Sequence, residues 1–142
     1  MSDDDLKKED YPLAENRPDV VVGSRGKALD ELTMDGVMSG EVTMEDLRIT
    51  PRALQQQAQI ARSVGRNELA ANFERAAEMS RVPQDQIMRL YELLRPGRAE
   101  SKEALLEEAV MLKRDFDAPL LAAFVEEAAN LYERRGLFQN RF

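Results

Sequence analysis

The chain has 142 residues, with 27 Asp and Glu against 20 Lys and Arg, a formal charge of −7, and no His, Cys or Trp. Without His and Cys it lacks the commonest imidazole and thiolate metal ligands and every Ser-His or Cys-His nucleophilic arrangement, and its acidic balance disfavours a nucleic-acid partner. At 43% apolar and 33% charged it has the composition of one globular domain, and no apolar run approaches the roughly 20 residues that span a bilayer.

Three zones follow in chain order. Residues 1–10 are charged and nearly devoid of large apolar groups, so by themselves they are expected to be a mobile acidic tail. The start Met1-Ser2-Asp3-Asp4-Asp5 is the opposite of a basic secretory leader, and the absence of Cys fits a reducing compartment, so the expected location is the cytoplasm. Residues 11–50 hold four of the seven glycines and two prolines, and are expected to form an irregular arm with short helices. Within it, Val20-Val21-Val22 suits a short extended segment ending at Gly23. Thr33 is placed to cap a helix over Met34–Ser39 with Gly40 as its stop, and Thr43 with Asp46 resembles a capping box.

Residues 51–142 are expected to be the helical domain. Thr50-Pro51 supplies a cap and a proline at the first helical position, Gly65 a stop, and Leu54, Ala58, Ala61 and Val64 an apolar line. A second helix spans about Asn67–Ser80 with Leu69, Phe73, Ala76 and Ala77 inward. Pro83 opens a third, with Ile87, Leu90, Tyr91 and Leu94 on one side and Asp85 four residues before Arg89 on the other. Ser101 caps a fourth carrying Leu105, Leu106, Ala109, Leu112 and Phe116. The last runs from Pro119 to Gly136 with an apolar stripe of two adjacent ladders, Leu120, Phe124, Ala128, Leu131 and Leu121, Val125, Ala129, Tyr132, wide enough to bury against two neighbours. The fold class is therefore all-α: about five helices in a compact bundle with an irregular N-terminal arm.

Candidate chemistry is sparse. Gly23-Ser24-Arg25-Gly26-Lys27 looks like a phosphate-binding loop, but Val21 stands where the first glycine belongs and Ala28 where a Ser or Thr would hold magnesium, so an ordinary turn is the better reading. Glu107-Glu108 and Glu126-Glu127 are carboxylate pairs on helix faces expected to be wet. Arg95 and Arg98 flank a helix end, where cations are favoured by the macrodipole without any anion. Gln55, Gln56, Gln57 and Gln59 suit either partner contacts or a solvated helix. Tyr91 and Tyr132 lie on apolar stripes and are expected in the core, and Tyr11 is the remaining phenol. Met34, Met38 and Met44 fall where no obvious local core receives them, which leaves core filling or docking against another protein.

Taken in order, a set of short words is more specific than any one of them. Tyr11-Pro12-Leu13-Ala14 with Pro18, Leu32-Thr33-Met34 through Val37-Met38-Ser39-Gly40, Leu47-Arg48-Ile49-Thr50-Pro51, Gln57-Ala58-Gln59-Ile60-Ala61, Asn72-Phe73-Glu74-Arg75-Ala76-Ala77-Glu78, Leu94-Arg95-Pro96 and Ala122-Ala123-Phe124-Val125 follow one another over about residues 10–137. This succession resembles the small (gamma) subunit of adenosylcobalamin-dependent diol and glycerol dehydratases. The resemblance implies a non-catalytic structural subunit that clamps and stabilises the large catalytic (alpha) subunit, alongside a medium (beta) subunit, in a dimer of heterotrimers. It implies a lyase converting 1,2-propanediol or glycerol to the aldehyde by a radical mechanism. The adenosylcobalamin would be bound by the other subunits and not by this chain, to which no catalytic, cofactor-binding or metal-binding residue is assigned.

Gly97 departs from the family pattern, where an aromatic is common. The longer N-terminal extension that some relatives carry, associated with a bacterial microcompartment, is not seen, so the microcompartment lumen is the alternative to the open cytoplasm. The competing readings are a free-standing helical adaptor and, more remotely, a single-chain enzyme working through carboxylates, Lys or Tyr.

Overall fold

Hydroxyl side chains decide where several helices begin. In the computed structural model, which describes residues 5–138, Thr50 Oγ1 accepts from Ala53 N at 3.0 Å and Ser101 Oγ from Ala104 N at 3.2 Å. Each supplies an acceptor for one N–H that a first helical turn leaves orphaned. The described residues form α1 (Leu13–Asn16), α2 (Met34–Ser39), α3 (Met44–Leu47), α4 (Pro51–Ser63), α5 (Asn67–Met79), α6 (Gln84–Leu94), α7 (Lys102–Phe116) and α8 (Pro119–Arg134). Single 3-10 turns lie at Lys8–Asp10, Pro18–Val20 and Leu29–Glu31. The all-α class is as expected, and the five long helices fall where caps and apolar spacing put them. Among the described residues no helix is long and apolar enough to cross a membrane.

The chain divides into two compact units between Ala77 and Glu78, inside the last turn of α5. In the first unit, α4 and α5 pack through Ala58, Ala61 and Ala70 with Phe73 beside them. Ile60, on another face of α4, buries with Leu6 and Leu13 against Val20 and Val21. The described part of the tail is therefore laid along α4. Leu6 N donates to Gln59 Oε1 at 3.3 Å and Lys8 N to Ser63 Oγ at 3.0 Å. A single apolar side chain, Leu6, anchors what charge alone reads as mobile. Residues 1–4 lie outside the described residues. The valine run also differs from the expected extended segment. Pro18, with its fixed φ, starts a 3-10 turn that takes in Val20, and Val22 makes only an isolated bridge to Ala28.

The second unit is built on the hairpin of α7 and α8. Ala109, Ala118, Ala122 and Ala129 are fully buried together with Leu105 and Val125, and these small side chains let the two helices approach closely. Lys102 pairs with Glu133 at 3.1 Å and Lys113 with Glu126 at 2.8 Å, which fixes the helices antiparallel. Asp117 turns the corner with φ +49, and Ala118 N closes the turn on Leu112 O at 3.0 Å. Leu90, Val82 and Ala99 complete this core.

Glu78 was invisible as a cap in the sequence. The start of α8 has no capping side chain of its own, and the buried Glu78 carboxylate serves instead, accepting from Leu120 N at 3.1 Å and Leu121 N at 2.7 Å. Glu78→Ala orphans both donors and removes a carboxylate from a helix N-terminus, so it is expected to lower stability by about 2 kcal/mol in urea unfolding. Glu78→Gln keeps one acceptor and is expected to lose about half as much.

Candidate interaction surface on the N-terminal arm

The arm owes its shape to a charge pair that the glycine-rich loop supplies. Arg25 Nε donates to Asp46 Oδ1 at 2.8 Å, a second guanidinium N–H reaches Asp46 Oδ2, and the same Nη2 donates to Glu41 O at 2.8 Å. Asp46 is buried and also accepts from Thr43 N at 2.9 Å, completing the capping box at the start of α3. Ser24 Oγ adds a bond to Glu45 O at 2.9 Å. The loop that resembles a phosphate cradle therefore turns its arginine inward to hold α3. The ordinary-turn reading agrees with that geometry.

α2 is braced against the same segment. Thr33 Oγ1 accepts from Gly36 N at 3.0 Å, as its cap position predicts, and Gly40, at φ +85, ends the helix in the left-handed region. Val42 N donates to Gly36 O at 3.0 Å. A Cβ on Gly36 would sit 2.8 Å from Val42 Cγ2, so only glycine allows this approach.

Asp46 gives the arm a pH dependence. The Arg25 guanidinium beside it, aided by the Thr43 N–H, holds its carboxyl down from 3.8 to about 2, against the opposing effect of burial. A depressed folded pKa contributes stability that is full above the unfolded value of 3.8 and is lost as pH falls toward about 2. Acid titration followed by circular dichroism is expected to show a loss of stability in that window, and Asp46→Asn to be less stable at neutral pH with a shallower acid loss.

What this brace presents outward is apolar. Met34 is 75% exposed, Met38 80%, Met44 67% and Ile49 63%, with Leu47 and Val37 also exposed. No local core receives the three arm methionines. Apolar side chains concentrated on one short, rigidly held segment mark an interaction surface.

The other candidates do not assemble into a site. Glu108, expected to be wet, is buried and pairs with Arg89 Nη2 at 2.7 Å. Arg89 thus spans to α7 instead of pairing with Asp85, because the interhelical partner is the one left without solvent. Glu107 and Glu127 are exposed, and Glu126 is the partner of Lys113. Arg95 stays with Glu92 at the C-terminal end of α6, and Arg98 N donates to Arg95 O, a helix-end arrangement with no converging anion site. Of the glutamines, Gln56 is buried with Nε2 on Val20 O at 3.4 Å and Gln59 holds Leu6. Both therefore fasten the chain to itself, while Gln55 is exposed.

Tyr132 is part-buried with its hydroxyl donating to Leu94 O, as a core tyrosine should. Tyr91, also expected in the core, is 60% exposed, because the core face of α6 is centred on Leu90. Val64 and Leu69 likewise lie outward, and Ala70 takes the inward place. Of the two α8 ladders, the one with Leu121, Val125 and Ala129 is buried. Leu120 and Phe124 stay exposed, so the wide stripe buries one ladder and not two. Among the described residues no group of three or more carboxylates could hold a metal ion.

A sequence profile described as "Dehydratase small subunit" matches residues 6–139, nearly the whole chain and all of the arm. The chain belongs to this dehydratase small-subunit family. Its relatives include the propanediol dehydratase small subunit of Salmonella typhimurium strain LT2, 49% identical over 129 residues that cover 91% of this chain and 74% of the relative. The propanediol dehydratase small subunit of Citrobacter freundii is 47% identical over the same shares. Membership agrees with the ordered short words of the sequence. In a dehydratase small subunit, the exposed arm is the feature that calls for explanation, more than any cleft.

Proposed function

We propose that the chain is the small, non-catalytic subunit of an adenosylcobalamin-dependent propanediol dehydratase, and that its arm clamps and stabilises the large subunit. The exposure of Met34, Met38 and Met44 on a braced segment supports this reading, because such a surface is stable in water only at a cost that a partner removes. The names of the two relatives point to a propanediol as the substrate, taken in this reading as 1,2-propanediol, with glycerol as the alternative that residues of the large subunit would select. The partners in this reading are the large and medium subunits, in a dimer of heterotrimers.

Cobalamin belongs to those other subunits. In this reading the family resemblance alone assigns it there, and no residue of this chain is assigned to it. The chain's part is instead to hold the catalytic subunit in the folded, assembled state, a contribution that grows with the tightness of binding. We assign it to the cytoplasm, with the microcompartment lumen as the alternative.

Reconstitution tests the proposal. Large and medium subunits of a propanediol dehydratase would be produced with and without this chain, and the soluble yield and cobalamin-dependent conversion of 1,2-propanediol to aldehyde compared. The expected result is a ternary complex with activity, and a strong loss of both yield and activity on omission. A chain that elutes alone as a folded monomer, with the other two subunits fully active in its absence, would overturn the proposal in favour of an adaptor.

A further inference from the structure

The arm carries charge as well as apolar surface, and all of the excess has one sign. Between Leu29 and Ile49 there are six carboxylates and a single cation, Arg48. Asp46 is matched by Arg25, and Arg48 is matched by Glu45 at 2.8 Å. Asp30 and Asp35 have no cationic partner among the described residues, and both are exposed, as are Glu31 and Glu41. Asp35 stands beside Met34 at the start of α2, Glu41 follows its end, and Glu45 stands beside Met44 on α3. Met34 and Met44 thus each have a carboxylate as their next residue, and Glu41 follows Met38 by three.

A rim of this kind selects its partner. Carboxylates at the edge of an interface contribute little to affinity against a neutral surface and oppose an acidic one, whereas against Lys and Arg they steer encounter and fix register. Methionine, unbranched and polarisable, suits an apolar floor of irregular shape. We propose that the arm docks on a surface of the large subunit that has an apolar floor and a rim of Lys and Arg, and that the acidic rim sets the rate of assembly while the methionines set its lifetime. This rests on the functional reading above and adds the chemistry of the partner surface.

Stopped-flow or surface-immobilised binding of the full chain to the purified large–medium subunit pair tests it, run from low to high sodium chloride. For the wild-type chain the association rate is expected to fall steeply with salt while dissociation changes little. Asp30→Asn/Asp35→Asn breaks no side-chain hydrogen bond or ion pair seen among the described residues, and is expected to slow association roughly three- to tenfold and flatten the salt dependence.

Tight wild-type binding that is independent of salt, or a neutralised variant that associates as fast or faster, overturns the acidic-rim proposal and leaves the subunit reading standing. No binding of the wild-type chain at any salt overturns both. A melting temperature matching wild type in the free variant separates a rim effect from misfolding.

Discussion

Met34→Asp/Met38→Asp is expected to leave the free chain folded, with an unchanged far-UV spectrum and a stability within about 0.5 kcal/mol of wild type, and to abolish its stable association with the large subunit. Both side chains project from α2 into solvent, at 75% and 80% exposure, so their removal opens no cavity and orphans no donor. The helix keeps its Thr33 cap and its Gly40 stop. In the complex the balance reverses. Each apolar anchor lost from the centre of an interface costs about 1–2 kcal/mol, and each carboxylate put in its place must be desolvated without a partner. Together they raise Kd by at least roughly a hundredfold, at 1.4 kcal/mol per tenfold. Isothermal calorimetry against the large–medium pair reads this directly, and a variant that binds as wild type does would remove the arm from the interface.

Leu105→Ala acts on the fold alone. Leu105 is fully buried between α7 and α8, among Ala109, Ala122 and Val125. Truncation removes its methyl groups from contact and leaves a hole that neighbouring alanines are too short to fill. The expected loss is about 3 kcal/mol, within a range of about 2–5 for such changes. Domains this small are stable by only about 5–15 kcal/mol, so the second unit would melt well below wild type in a calorimetric scan. A loss under about 1 kcal/mol would mean that the α7–α8 hairpin collapses onto the site and is less tightly packed than its buried alanines indicate.

The helix starts were legible in the sequence because their causes are local. Thr33, Thr50 and Ser101 each cap a backbone N–H three residues away, and Gly40 and Gly65 stop helices by taking a positive φ, all within a window that the eye can read. What escaped was every contact whose partner lies far along the chain. Glu78 caps α8 from more than forty residues away, Glu108 holds Arg89 across a helix pair, and Gln59 holds Leu6 across 53 positions. Local pattern also prefers the nearest charge, which is why Asp85 was expected as the partner of Arg89.

The candidate surface was half legible. Met34, Met38 and Met44 stood out because nothing nearby could bury them, but composition alone could not separate docking from core filling. Only the brace of Arg25 on Asp46, which holds α3 to the glycine-rich loop, makes their outward position definite. Family membership was readable for a different reason. Many short words in one order are jointly improbable by chance even though Leu-Arg-Pro or Tyr-Pro-Leu-Ala is weak alone, and the profile match over residues 6–139 covers the same stretch.

The central claim is that the arm is an interface. Amide hydrogen exchange, read by mass spectrometry on peptides spanning residues 29–49 in the free chain and in the assembled dehydratase, tests it most directly. The expected result is a slowing of about tenfold or more across α2 and α3 on assembly, relative to the free chain. Unchanged exchange over that segment in an active complex would contradict it, because the methionines would then remain in water when the enzyme works.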